Sequence, residues 1–528
     1  MVATPAQQSA EDGPVTSQRG AVRSFAHPSV LVFMAIAAAA GLVARFLVTS
    51  DLWLDEALSV NISKLPLGDI GEALRHDGHP PLYYWLLHGW ISAFGDSTFA
   101  VRAMTGVISL AALPLMYVVG KRLRGPQLGM ILAWMLSISP FFLRYGSETR
   151  MYSLVMVLTL AGYLAVSEAL VRPELKQLAL VAISTGALLW THYWSMWMLA
   201  SIGILLIARL VHRSRSRSDT RPTLLVIGAM AVGGVLFLPW VPSLLYQAQH
   251  TGTPWADPLR PDTLVITTLF DFNGGPYSQP QILMAFTTVL LVIGVFGAGR
   301  SEYQIDLDFR SRADARRPLA VMAVTMIIAS AAGMVLQAAF ATRYASVFFP
   351  FYVILVGLGV SRFRPGLPRI VVICTLIVMS LASMLFVFRL SKTQAGEVAD
   401  AIAVTGPEKA FVITCPDQLG PSVSRALGDG YDVATYPRFE APLLVDWVDY
   451  GERNRTNDPK AFADEVLRRA GDRTIFVVYS TAYLTVTSQC SDVVGRLGTA
   501  RVGTTLVQPE PKDFFEPMSL IVFPPSAP

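Results

Sequence analysis

Apolar runs of about 13 to 23 residues recur between Ser29 and Phe388, and the longer of them match what a helix needs to cross the hydrocarbon core of a bilayer. They lie at 29–48, 99–119, 128–143, 151–171, 178–190, 196–210, 223–245, 282–298, 319–340, 346–360 and 370–388. The expected result is about eleven spans, an odd number that puts the termini on opposite sides. A chain that is 53% hydrophobic and 15% charged, with mean hydropathy +0.47, carries more apolar surface than a water-soluble core holds. Lipid is therefore part of its solvent, and the net charge of +4 is no argument for nucleic-acid binding.

If the runs are spans, alternate loops should differ in basic charge. One set holds Lys121, Arg122 and Arg124; Arg172 and Lys176; Arg209 to Arg221; Arg300 to Arg317; and Arg362 to Arg369. The other set is sparse, with Lys64, Arg75, Arg144, Arg150, Arg260 and Arg343 as its main basic residues. The dense set is expected in the cytoplasm of a cell carrying this protein in its cytoplasmic membrane. That places the amino terminus inside, and everything after Phe388 outside.

Three regions follow. Residues 1–28, polar and without an apolar core, read as a disordered cytoplasmic tail with no cleavable signal peptide. Residues 29–390 form the membrane domain, whose external loop 51–98 includes amphipathic stretches such as Leu82, Trp85, Leu86 and Trp90. Residues 391–528 turn to soluble composition, with strand-like runs at 411–414, 432–434, 474–478 and 518–523 and helical patterns at 419–427 and 459–470. The predicted fold class is a polytopic α-helical membrane protein with a small extracytoplasmic α/β domain at its carboxyl end. Three cysteines are too few for a disulfide scaffold, and Cys374 lies within an apolar run. Cys415 and Cys490 either pair in an oxidising compartment, closing a loop worth about 4 to 5 kcal/mol, or stand as two separate thiols.

Charged groups at span ends are costly unless paired or used, so the external ends are where chemistry is sought. Asp55 and Glu56 follow the first span among Trp53 and leucines, a setting that suits a general base or, equally, an interfacial anchor. His76, Asp77 and His79 precede Pro80 and Pro81. They are either ligand-binding groups or a turn, and their spacing is a weak metal signal. Arg144, Tyr145, Glu148, Arg150 and Tyr152 form a hairpin that can clamp an anionic headgroup or pair internally, Arg150 with Glu148. His192, Tyr193 and Trp194, and then Arg343 and Tyr344, occupy two further external turns. All these clusters share one side of the membrane under the topology read from cytoplasmic charge alone.

The order Asp55-Glu56, His79-Pro80-Pro81-Leu82-Tyr83, Glu148-Thr149-Arg150-Met151-Tyr152 and Arg343-Tyr344 resembles the GT-C membrane glycosyltransferases of the protein mannosyltransferase and aminoarabinose transferase type, over roughly residues 29–390. The segments Leu238 to Pro242 and Gly252 to Trp255 also look like bacterial members, and Cys415 to Pro421 resembles actinobacterial relatives. The resemblance implies an inverting transfer of a sugar, mannose first and arabinofuranose second, from a polyprenyl-phosphate donor to an envelope glycan, lipoglycan, lipid or protein acceptor on the outer face. It implies Asp55 as general base with Glu56 supporting it. Arg150, Arg343, Tyr344 and Tyr152 would sit at the donor phosphate, and His79, His192, Tyr193 and Asp77 beside donor or acceptor. No cofactor is required; a divalent metal is allowed but not indicated. Two other classes remain open: a lipid-linked sugar transporter or flippase with an external sensor or glycan-binding domain, and a non-catalytic scaffold. Transporters usually place polar groups at the midplane, whereas here they cluster at span ends.

Overall fold

The computed structural model describes residues 28–253, 260–275, 280–336, 339–405, 410–486 and 488–525. The tail expected at 1–28 thus lies outside the described residues apart from Pro28, as do Pro254 and Trp255.

Every apolar run folds as helix. Among the described residues, six helical stretches are long and apolar enough to cross a membrane: Thr98–Arg124, Tyr152–Ala169, Ser195–Arg215, Arg221–His250, Ala313–Val335 and Leu367–Arg389. Pro28–Ala44, Leu175–Thr191, Gln281–Phe296 and Phe349–Arg362 are shorter apolar helices. The run at 128–143 is a broken pair, Pro126–Ser137 and Pro140–Gly146, bent by 60°. Pro140 is the cause: it has no N–H to donate into the preceding turn, and its ring keeps Ser139 out of the helical region. The bend carries Arg144 and Tyr145 sideways to Asp271, which accepts from Arg144 Nη1 at 3.3 Å and from the Tyr145 hydroxyl at 3.2 Å. Asp271 lies in the last turn of the helix Pro261–Phe272.

The segment after the first helix is itself three helices, Leu54–Ser63, Ile70–Asp77 and Leu82–Phe94. Among the membrane helices aromatic rings pack together: Phe141 lies 4.5 Å from Phe349 and 4.9 Å from Phe272 between centroids. Such rings bury large apolar areas and resist displacement.

After the last long helix the chain folds around a five-stranded sheet in the order Asp432–Thr435, Phe411–Cys415, Ile475–Tyr479, Ser519–Phe523 and Thr504–Val507. The first three strands are parallel, and Ser519–Phe523 runs antiparallel to both its neighbours. The three central strands are apolar on both faces, as helix-covered strands must be. The short strands Ser391–Thr393, Thr504–Val507 and Phe514–Glu516 carry no apolar run and are not apparent in the sequence. Cys415 and Cys490 are joined in a disulfide across 75 residues. Ser391–Thr393 pairs in parallel with Phe514–Glu516, so the end of the chain returns to the root of the last helix.

Candidate active site

A cavity of about 610 Å³ opens between the helices Leu54–Ser63 and Ile70–Asp77 and the carboxyl-terminal domain. Asp55, Asp77, His79, Arg150, His192, Tyr193, Arg343 and Tyr344 line it from the membrane side. Five separate loops and helix ends thus converge, although some 290 residues separate Asp55 from Tyr344.

Asp55 and Glu56 part company here. Both lie in the first turn of Leu54–Ser63, and successive helical residues point about 100° apart. Asp55 faces the cavity; Glu56 turns inward and is fully buried. Arg102 grips it with Nε at 2.9 Å from Oε1 and Nη2 at 2.7 Å from Oε2, and the Thr149 N–H adds 2.9 Å. The expected supporting role of Glu56 at the reacting atoms is therefore corrected: its carboxylate does not line the cavity, and it ties the Asp55 helix to Thr98–Arg124 and to the Arg150 loop. Arg102 was overlooked in the sequence. A lone arginine inside an apolar run needs a buried carboxylate, and that was the available signal.

Asp55 Oδ2 lies 3.5 Å from Arg343 Nη2 and 3.9 Å from Arg150 Nε, and accepts no hydrogen bond from the described residues. Arg150 is held from behind. Its Nη1 donates to Ser59 Oγ at 3.0 Å and to the Tyr84 hydroxyl at 3.3 Å, and its Nη2 to His79 Nε2 at 3.0 Å. Since His79 Nε2 accepts, its proton sits on Nδ1, 2.7 Å from Asp77 Oδ2. Burial alone would raise the Asp77 carboxyl, but His79, Arg150 and Tyr84 outweigh it and hold it below the ordinary range. Gly78, at φ +91°, makes the left-handed turn that ends Ile70–Asp77 and swings His79 back over it.

His192 follows the end of Leu175–Thr191. Burial, with His79, Arg150 and Arg343 nearby, pushes its pKa well below the ordinary value, so the ring is neutral. Its Nδ1 accepts from the Trp194 N–H at 3.1 Å, which leaves the proton on Nε2. Nε2 has no partner among the described residues and is a donor available to a ligand. Tyr344 stacks on Trp194 at 5.4 Å, and Arg343 lies 5.8 Å from the Trp53 ring centroid. Tyr193 lines the cavity, but its hydroxyl is engaged by Trp240 Nε1 at 2.8 Å and by Gln247. Tyr152 does not line it: the residue is fully buried behind His192, 5.9 Å between rings, and a place for it at the donor phosphate is not what the geometry shows. Glu148 pairs not with Arg150 but with Lys392 at 2.8 Å. Burial would raise Glu148, yet Lys392, Arg144 and Arg343 keep it below its ordinary value. Among the described residues no three His, Cys, Asp or Glu side chains gather as metal ligands.

The carboxyl-terminal domain supplies the opposite wall with Gln418, Trp447, Ser480, Tyr483, Thr485 and Glu516. Glu516 Oε1 accepts from the Leu54 N–H at 3.3 Å and the Tyr483 hydroxyl at 2.7 Å, and Oε2 from Thr393 Oγ1 at 2.6 Å. It thereby caps the helix that carries Asp55, whose Trp53 meets Phe515 edge-on at 4.9 Å. Burial pushes the Glu516 carboxyl up to about 7 against these hydrogen bonds. Nothing in the residue types of this wall announced a site.

An arrangement of this kind can neutralise an anionic group on two guanidiniums and a neutral imidazole N–H while an adjacent carboxylate takes a proton. The sequence model of the dolichyl-phosphate-mannose-protein mannosyltransferase family matches residues 78–242, which include His79, Arg150 and His192. The apo structure of ArnT from Cupriavidus metallidurans superposes with TM-score 0.55 at 10% identity, over 94% of this chain and 98% of that one. Its undecaprenyl phosphate-bound structure gives 0.55 at 12% identity, over 96% and 98%. The chain has the GT-C fold. The helices long and apolar enough to span a bilayer make it a multi-pass membrane protein. A lesser likeness to this GT-C chain, TM-score 0.47 at 10% identity over 85% and 69%, is found in the Archaeoglobus fulgidus oligosaccharyltransferase. No protein of curated function matches the sequence.

Proposed function

We propose that this chain transfers a sugar, mannose before arabinofuranose, from a polyprenyl-phosphate donor to an acceptor hydroxyl with inversion, on the outer face of the cytoplasmic membrane. The observation that carries the reading is Asp55, with one carboxylate oxygen accepting no hydrogen bond from the described residues, set on the cavity wall beside Arg150 and Arg343. Arg343, Arg150 and His192 Nε2 take the charge that grows on the leaving phosphate, and Asp55 removes the proton of the attacking hydroxyl. Asp77 and His79 fix the rotamer of Arg150, so that little reorganisation is needed as charge moves. That the ArnT structure was solved with undecaprenyl phosphate supports a polyprenyl-phosphate donor here.

Reconstitution in nanodiscs with polyprenyl-phosphate mannose, polyprenyl-phosphate arabinofuranose and candidate envelope acceptors tests the reading directly. Transfer should depend on Asp55. Full activity in Asp55→Asn, or lipid movement without transfer in the wild-type protein, would overturn it.

A further inference from the structure

The two walls of the cavity differ in chemistry. The membrane wall holds two arginines, two histidines and two aspartates. Among the described residues of the carboxyl-terminal wall the only acidic or basic side chain is Glu516, and all of its hydrogen bonds described above go to protein groups. What that wall offers a ligand is the half-buried rings of Trp447 and Tyr483, the O–H of Ser480, whose oxygen accepts from the Ala482 N–H at 3.3 Å, and the amide N–H group of Gln418, whose Oε1 accepts from the Thr485 hydroxyl at 3.2 Å. The Tyr483 hydroxyl is spent on Glu516, so this residue presents its ring. Flat aromatic surface beside neutral hydrogen-bonding groups suits a molecule with apolar faces and hydroxyl edges.

The wall is also held in place. The Trp447 N–H donates to the His76 carbonyl at 3.1 Å, His76 Nδ1 meets Asp446 at 2.9 Å, and the Asp449 N–H donates to the His250 carbonyl at 2.8 Å. Trp447 is thus tied to the same external helix, Ile70–Asp77, that ends at His79. Displacement with inversion needs the nucleophile on the face of the sugar opposite the leaving group. With the phosphate on the arginines, that face is towards the carboxyl-terminal domain, and Asp55 stands at the seam where Glu516 caps its helix.

We propose that Gln418, Trp447, Ser480, Tyr483 and Thr485 form the acceptor subsite, and that it takes the neutral sugar end of a glycan or glycolipid. The proposal rests on reading the arginine wall as the donor-phosphate site. The acceptor hydroxyl attacks the anomeric carbon, its proton passes to Asp55, and the bond to the phosphate oxygen breaks with its electron pair on the phosphate.

The test is binding to the full-length protein in nanodiscs, with methyl α-mannopyranoside and methyl α-arabinofuranoside as neutral probes and undecaprenyl phosphate as the anionic one. The wild-type protein should bind a neutral glycoside at millimolar concentration. Trp447→Ala should weaken that by about tenfold or more, with undecaprenyl phosphate affinity within about twofold, and Trp447→Phe should restore most of it. Leu484→Arg, at an exposed position on the same wall, should block the glycoside without touching the fold. Unchanged glycoside binding in Trp447→Ala and Leu484→Arg overturns the proposal. So does loss of both ligands together in these variants, or a wild-type wall that takes a Ser/Thr peptide or an acidic glycoside instead. If the glycoside binds through Trp447 while undecaprenyl phosphate does not bind at all, the subsite stands and the donor reading falls.

Discussion

Replacing Glu56 by glutamine separates two neighbouring carboxylates by the kind of damage each loss does. Glu56 is fully buried and Arg102 nearly so, and they share two contacts of 2.7 and 2.9 Å. Glutamine keeps an acceptor for the Thr149 N–H but leaves the guanidinium buried without its counter-charge. Breaking such a pair from one side costs about 3–5 kcal/mol. Arg102 retains the carbonyls of Ser50 at 2.5 Å and Asp51 at 3.1 Å, so the low end, about 3 kcal/mol, is expected. Asp55 contacts its arginines only at 3.5 and 3.9 Å and is partly open to the cavity, so Asp55→Asn should cost at most about 1 kcal/mol. Its loss as general base should instead lower the transfer rate by about 10²–10⁴-fold. Thermal unfolding of both variants in nanodiscs, with transfer rates normalised to the folded fraction, reads the two effects separately. A Glu56→Gln protein of wild-type stability that has lost a hundredfold or more in rate would refute the assignment. An Asp55→Asn protein that is destabilised yet active would refute it too.

Three other outcomes follow from the geometry. Glu516, ordinarily 4.5 and here about 7, binds its proton more tightly folded than unfolded, so its contribution is largest below about 4.5 and is lost as pH rises through 7; stability should fall by about 3 kcal/mol across that window, and Glu516→Gln should flatten the slope in a pH series of unfolding curves. Cutting the 75-residue disulfide loop with Cys490→Ala, or reducing it, should destabilise the carboxyl-terminal domain by about 2–5 kcal/mol, and an unfolding curve insensitive to reductant would argue against a structural disulfide. Arg343→Lys keeps the charge but loses the planar fork beside Trp53 and Tyr344, so undecaprenyl phosphate affinity should drop about tenfold in a titration, whereas unchanged affinity would remove Arg343 from the phosphate site.

The sequence by itself determined the helical membrane architecture, because the length of an apolar run is a local property that lipid reads directly. The motif order also pointed to the GT-C fold, since it survives without knowledge of packing. The tertiary structure alone decided which acid faces the cavity. Asp55 and Glu56 look equivalent in a string, but the helix sends them about 100° apart, and Arg102, 46 residues on, claims one of them. Tyr152 stays off the cavity wall for the same reason, since a residue next to a motif need not share its face. The second wall was the least legible. Gln418, Trp447 and Tyr483 are ordinary surface types scattered over some 65 residues, and they became a wall only once the chain's end returned to pair Phe514–Glu516 with Ser391–Thr393 beside the Asp55 helix. Contacts between residues more than 300 positions apart depend on which of many foldings buries the most with its polar groups paired, and no local pattern encodes that choice.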